Sequence, residues 1–273
     1  MIDASDAPAI EVVRPPVGRI FRCALLDFDG TISLIRRGWQ EVMTAMEMEV
    51  LSGLPLAPPA GPLRELVVED IAELTGRQTI YQMIRLGGRA EQFGGRPAEP
   101  LEYKRRYNDL LLAHIAERRR ALAAGEVSAE EMMVPGARRM LELLAQAGLE
   151  LHLASGTDEP FVVEEARLVG VADFFAGRIH GAHDDYRRHS KAAVIAHIIS
   201  SGAAGAGLLG FGDGMVEIEE TRKAGGYAVG VASDEEARGG RVDEWKRRRL
   251  LSAGADVIVP DFARAEEIAA LLM

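Results

Sequence analysis

The chain has 273 residues, 48% of them hydrophobic, and a formal net charge of -10 from 42 acidic and 32 basic residues. That length and apolar content support one large or two modest domains with a true core, and the acidic balance argues against nucleic acid or an anionic membrane surface as the partner. A single cysteine, Cys23, excludes an internal disulfide, no apolar run reaches the roughly 20 residues that cross a bilayer, and the N-terminus lacks a secretory pattern, so the cytoplasm is the expected location.

Residues 1–18 are polar and Pro-rich and read as an N-terminal arm. Residues 20–27, IFRCALLD, read as a strand buried on both faces, because the apolar run is continuous rather than alternating. From residue 34 to 130 no strand pattern occurs. Ile35, Trp39, Val42, Met43 and Met46 fall at helical spacing. Pro62 opens a second helix that Gly76 closes, and a short third helix ends at Gly87-Gly88. A Gly-rich loop follows, then a long helix from about residue 100 to 124 with Tyr107, Leu110, Leu111 and Ile115 on one face. Met43, Met46 and Met83 read as core of this helical region.

After Pro135 strands and helices alternate. The expected strands are LELHLAS, GRIHGA, AGLLGFGD, YAVGVA and DVIVP, with a helix starting at Ser190 and a terminal helix capped by Asp261. Such alternation predicts an α/β fold with a doubly wound parallel sheet. The expected domains are an α/β core of residues 19–33 and 131–273 and an inserted helical region of residues 34–130. The basic run Lys246-Arg247-Arg248-Arg249 reads as a solvated helix face, and the segment from Ser233 to Phe262 as completing the sheet with no part in chemistry.

Open parallel sheets bind ligands beyond the carboxyl ends of their strands. Those ends carry Asp27 and Asp29 after the first strand, Ser155-Gly156-Thr157 after the second, and Gly212-Asp213-Gly214 with Glu217 one helical turn on; Lys191 opens the intervening helix. Each alone is ordinary turn or surface chemistry; their conjunction at one sheet edge is the signal. Asp27, Asp213 and Glu217 offer oxygens to a hard cation, and Mg²⁺ takes few carboxylates plus water and phosphate. Ser155, the bare backbone of Gly156 and the charge of Lys191 form a cradle for a phosphoryl group. A carboxylate facing that cradle can attack phosphorus, and a second can serve as acid and base. Arg77, after a helix end, either meets an anionic substrate or caps that helix's carbonyls; Arg36, Arg37 and Lys104 are further candidate substrate contacts.

These motifs resemble the haloacid dehalogenase superfamily: DFDGT its first motif, LHLASGT its second, the lysine of HSKAAVI its third, and GFGDGMVEIEE its acidic fourth, with Glu217 where aspartate is more usual. The resemblance implies a Rossmann-like core with a helical cap that closes over the site. It implies Asp27 as nucleophile and metal ligand, and Asp29 as general acid and base with its carbonyl on the metal. Ser155 and Lys191 would hold the phosphoryl oxygens, and Asp213 and Glu217 the Mg²⁺. Dehalogenases of the superfamily lack the second aspartate, because a halide needs no proton. Asp29 therefore points to a small phosphorylated metabolite as substrate. No lysine occurs between Phe28 and Tyr103, which disfavours a Schiff-base phosphonate cleavage, and Ala192 stands where sugar-phosphate members often carry proline after the lysine. Three readings stay open: a Mg²⁺-dependent phosphatase, a phosphomutase with the same aspartate pair, and a catalytically idle binding protein.

Overall fold

The computed structural model describes residues 10–185, 191–200 and 205–273. The residue expected to start a helix, Ser190, lies outside the described residues, as do residues 1–9 of the expected arm. The chain divides into two compact units, one of Met1–Arg37 with Ala121–Met273 and one of Gly38–Arg120.

Among the described residues the first unit is built on seven strands: β1 (Glu11–Val12), β2 (Cys23–Leu26), β3 (Glu150–Asp158), β4 (Ile179–Ala182), β5 (Leu208–Gly212), β6 (Tyr227–Val231) and β7 (Val257–Val259). Their order is β1-β7-β6-β5-β2-β3-β4, all pairs parallel except β1 with β7. The chain runs from β2 outward to β4 and then returns to β5 on the other side of β2. That reversal makes the end of β2 the switch point where such sheets bind ligands. All residues of β2, β5, β6 and β7 are buried, as continuous apolar runs require. One core cluster joins Cys23, Leu25 and Leu208 to Ile195 and Ile198 of the helix Lys191–Ser200; a second joins Ala228 and Ile258 to Ile218 and Leu250.

Three expectations are corrected here. The residues read as a loosely held arm include β1, which pairs antiparallel with β7 and is tied down by an Arg14–Asp256 ion pair and an Arg247–Glu11 pair at 2.6 Å. β3 continues through Ser155-Gly156-Thr157 rather than ending before them, with an irregular register against β4 between Ala154 and Asp158. Asp261 does not cap the terminal helix, Ala265–Leu272; its carboxylate accepts from the Ala263 N–H at 2.8 Å and shapes the turn before it.

The second unit holds helices α1 (Trp39–Leu51), α2 (Ala60–Leu74), α3 (Thr79–Gln92) and most of α4 (Pro100–Ala123). Met43, Met46, Leu63, Val67, Ile71, Met83 and Leu86 are buried. α3 runs through Gly87-Gly88 instead of stopping there, because Leu86 and Ala90 continue its buried stripe. On α4 the buried face is Tyr103, Tyr107, Leu111 and Ile115, spaced by four, and Leu110 falls off it at 42% exposure.

One charge is out of place in this apolar interior. Glu47 on α1 is buried, and its Oε1 has no hydrogen-bond partner. Burial raises its carboxyl from 4.5 to about 8, the nearby Asp70 adds to the rise, and Arg85 opposes it. Arg85 is committed to Asp70 and Glu73. A carboxyl raised on folding stabilises the fold fully only below its unfolded value of 4.5, and that stability drains away as pH climbs toward 8. Glu47→Gln is expected to remove this slope, so that its stability advantage over the parent grows from pH 5 to pH 8 by about 1–3 kcal/mol, read by urea unfolding at both ends. A constant difference would show that Glu47 is not the titrating group.

Candidate active site

The acidic edge begins where β2 ends. Asp27 donates its N–H to the Phe211 carbonyl of β5 at 3.0 Å, which fixes the backbone there, and the side chain is buried. Lys191 donates from Nζ to Asp27 Oδ1 at 2.9 Å, and the same ammonium meets the Glu217 carboxylate; both Lys191 and Glu217 are buried. Burial raises the Asp27 carboxyl, Lys191 pulls it down, and the charge of Asp213 pushes it further up, leaving it above its ordinary value.

Two residues on, Asp29 Oδ2 accepts from Thr157 Oγ1 at 2.8 Å and from Ser155 Oγ at 3.4 Å. The Ser155 hydroxyl oxygen also accepts from the Thr157 N–H at 3.0 Å, so the unusual stretch of β3 holds both hydroxyls at this carboxylate. Gly156 sits between them, partly exposed. Burial raises Asp29 to about 7, against the pull of Arg36; Glu165 and Asp27 add to the rise, and Thr157 opposes it. Arg36 stays 3.9 Å from Asp29 Oδ1 because its guanidinium is engaged by Glu165, through Nε at 2.9 Å and a terminal nitrogen at 2.8 Å, both residues buried.

Asp213 follows β5 and donates its N–H to Thr31 Oγ1 at 3.0 Å. Two glycines make the close approach possible. Gly30, at φ 75°, leaves no room for a Cβ, which would fall 2.2 Å from Asp213 Oδ2. Gly212 admits Glu217: a Cβ there would lie 2.7 Å from the Glu217 Cβ. The helix Met215–Lys223 therefore packs against bare backbone and delivers Glu217 to Lys191.

The donor set suits a magnesium ion in a restricted way. Among the described residues no three acidic, histidine or cysteine side chains are arranged to hold a metal, and Glu217, expected at the cation, meets Lys191. Asp27 and Asp213 are left as two carboxylates close enough for one to raise the other. Mg²⁺ is commonly held by one or two carboxylates, water and phosphate, so the pair fits it without a full protein cage.

Four side chains take parts at this edge that the sequence did not show. Thr157 was placed there without a role of its own, and it donates to Asp29. Arg36 and Arg37 were expected with the helical region but lie in the sheet unit, Arg36 on Glu165 and Arg37 donating to the Glu235 carbonyl at 3.3 Å. Lys246, read as part of a solvated run, is buried and pairs with Asp213 Oδ2 at 2.9 Å and Glu235 Oε1 at 2.7 Å. Its signal was weak: only the Asp243 N-cap, whose carboxylate accepts from the Trp245 and Lys246 N–H groups, fixes which residue of the run turns inward. In the helical unit, Arg77 is exposed at the α2–α3 turn over the Tyr81 ring, and Lys104 is buried on α4.

A sequence model of the haloacid dehalogenase-like hydrolases matches residues 21–225. The chain belongs to that family. Solved structures similar to this hydrolase include a predicted phosphoglycolate phosphatase from Haemophilus somnus 129PT, at 17% identity and TM-score 0.59, over 91% of this chain and 97% of that one. A β-phosphoglucomutase from Clostridium difficile aligns at 14% identity and TM-score 0.60, over 93% and 97%. A hydrolase of the same family from Deinococcus radiodurans R1, described with bound phosphate and sodium, aligns at 17% and 0.55, over 93% and 98%. At these identities the likeness is one of fold. No curated protein matches the hydrolase in sequence. Among its described residues no helix is long and apolar enough to cross a membrane.

Gly30→Ala is expected to cost more than the left-handed backbone alone. Gly18, at φ 70° with nothing near its missing Cβ, isolates that backbone cost, on the order of 1–2 kcal/mol. In Gly30→Ala the added methyl must also displace Asp213, so its urea midpoint should fall further than that of Gly18→Ala. Equal losses would mean that Asp213 yields freely.

Proposed function

We propose that this hydrolase is a Mg²⁺-dependent phosphatase acting on a small phosphomonoester through an aspartyl-phosphate on Asp27. The observation that carries the reading is Asp29: a second carboxyl, hydrogen-bonded by Thr157 and Ser155 and raised to about 7, beside the buried Asp27. An ester's departing alkoxide needs a proton, and a carboxyl poised near neutrality can supply it.

In this reading Lys191 fixes one oxygen of Asp27 and leaves the other for phosphorus. Asp27 forms a bond to phosphorus as the ester P–O bond breaks, and Asp29 protonates the leaving oxygen. Asp29, now ionised, takes a proton from water, whose oxygen attacks phosphorus and frees Asp27. Ser155, the Gly156 backbone and Lys191 steady the phosphoryl oxygens. Asp27, Asp213 and the Asp29 carbonyl would hold Mg²⁺, with Glu217 reaching it through water; the ion would neutralise phosphoryl charge during transfer. The helical unit Gly38–Arg120 would act as the cap that selects substrate, with Arg77 as a contact for an anionic group. A phosphomutase would use the same aspartate pair but return the phosphoryl group to its substrate.

A phosphate-release assay over sugar and carboxylic phosphates with Mg²⁺ tests the class. Release of free phosphate is expected, and Asp27→Asn should lose at least about a thousandfold in kcat while keeping its circular dichroism. Isomer formation without free phosphate would favour the mutase, and full activity in the variant would remove Asp27 as nucleophile.

The pH profile tests Asp29. Because its carboxyl is raised, it carries its proton below about 7 and loses it above. With an alkyl phosphate, kcat/KM should therefore decline as pH passes about 7. With an aryl phosphate bearing a good leaving group the decline should be shallower. Identical profiles for the two esters would separate Asp29 from leaving-group protonation.

A further inference from the structure

The segment between β6 and the helix Glu244–Ser252 is pinned at both ends. Ala232 donates its N–H to the Val259 carbonyl at 2.8 Å, Asp243 donates to the Ala232 carbonyl at 2.8 Å, and Ser233 bridges to Val242. Inside the loop, the Asp234 carboxylate accepts from the Glu236 and Ala237 N–H groups at 3.1 and 2.9 Å. The Arg238 guanidinium reaches the Glu130 and Met133 carbonyls. So anchored, the loop carries Ser233, whose hydroxyl donates to the Gly30 carbonyl at 2.8 Å, and Glu235 to the acidic edge.

Lys246 completes this arrangement. Its ammonium meets Asp213 Oδ2 at 2.9 Å, Glu235 Oε1 at 2.7 Å and Ser233 Oγ at 3.3 Å, and the residue is 7% exposed. Lys191 already serves Asp27 and Glu217. The second lysine therefore adds a fixed positive charge at Asp213, a carboxylate that Lys191 does not touch. Glu235 shares this ammonium with Asp213, and its Oε1 and Asp213 Oδ2 both line the space beside Gly30. We propose that Lys246 is a built-in counter-cation for Asp213, and that the Lys246–Glu235 pair sets how tightly the edge takes a divalent cation. This rests on the Mg²⁺-dependent reading above.

The argument is one of charge at short range. A dication at Asp213 feels the ammonium as repulsion and finds one carboxylate oxygen already engaged. Glu235, held on the same ammonium, offsets part of that repulsion. Deleting the lysine charge should tighten divalent binding, and deleting the glutamate charge should weaken it. A pair that served only to hold the loop would weaken binding in both cases, because each deletion would loosen Asp213. Opposite signs thus separate electrostatic setting from simple support.

The test is calorimetric Mg²⁺ titration of the full chain without phosphate, on the parent, Lys246→Met, Glu235→Gln and the double variant, with Asp213→Asn as the control that should abolish uptake. Lys246→Met is expected to lower the dissociation constant on the order of tenfold, and Glu235→Gln to raise it by a similar factor. The double variant should return toward the parent. Weaker or unchanged binding in Lys246→Met, or tighter or unchanged binding in Glu235→Gln, overturns the inference. If Lys246→Met does not fold, as circular dichroism would reveal, Lys246→Gln, which removes the charge but keeps a hydrogen-bond donor for Glu235, decides by its sign: tighter Mg²⁺ uptake supports the inference, and weaker or unchanged uptake overturns it. Mg²⁺ uptake by the parent with the wrong signs in the variants sinks this inference alone. No Mg²⁺ uptake by the parent sinks both it and the magnesium reading.

Discussion

Burying a carboxylate away from water costs several kcal/mol unless a partner answers its charge, and this sheet edge buries Asp27 and Glu217 and keeps Asp213 largely covered. Two ammonium groups make that possible. Lys191 joins Asp27, just after β2, to the helix that bears Glu217, and Lys246 joins Asp213 to the loop that follows β6. Breaking either pair would leave an uncompensated charge in the interior, a change that typically costs a few kcal/mol. Ion pairs thus join apolar packing in tying the ends of β2 and β5 to the elements around them.

Much of this edge could be read from the sequence, for a physical reason. Buried parallel strands write themselves as unbroken apolar runs, and the first polar residue after each run must sit at the sheet's carboxyl end. Asp27, Ser155 and Asp213 were located by that rule alone. Roles that depend on which way a side chain turns were not readable. Lys246 sits in a run of four basic residues, and nothing in the run distinguishes the one that points inward. Arg36 looked like a substrate contact because its charge was visible, while its partner Glu165, far along the chain, was not. Nor did the acidic motif show that Glu217 would meet a lysine.

The fold's local errors have a common cause as well. Glycine pairs and prolines suggested stops, yet α3 passes through Gly87-Gly88 because its buried stripe outweighs a modest backbone penalty. β3 passes through Ser155-Gly156-Thr157 because hydrogen bonds to Asp29 and pairing with β4 hold an irregular strand in place. Tertiary partners decided both cases, and neither partner lies nearby in sequence.

The pairing of β1 with β7 joins Glu11 to Ile258 and Val12 to Val257. During synthesis, then, the sheet cannot close its outer edge until nearly the whole described chain has left the ribosome. The helical unit, continuous from Gly38 to Arg120, is available to fold long before. Asp27 is made early, but Lys191 and then Lys246 arrive only later. For much of its making the nascent chain therefore carries acidic groups that water must shield, and its interior can dry out only when its last lysines arrive.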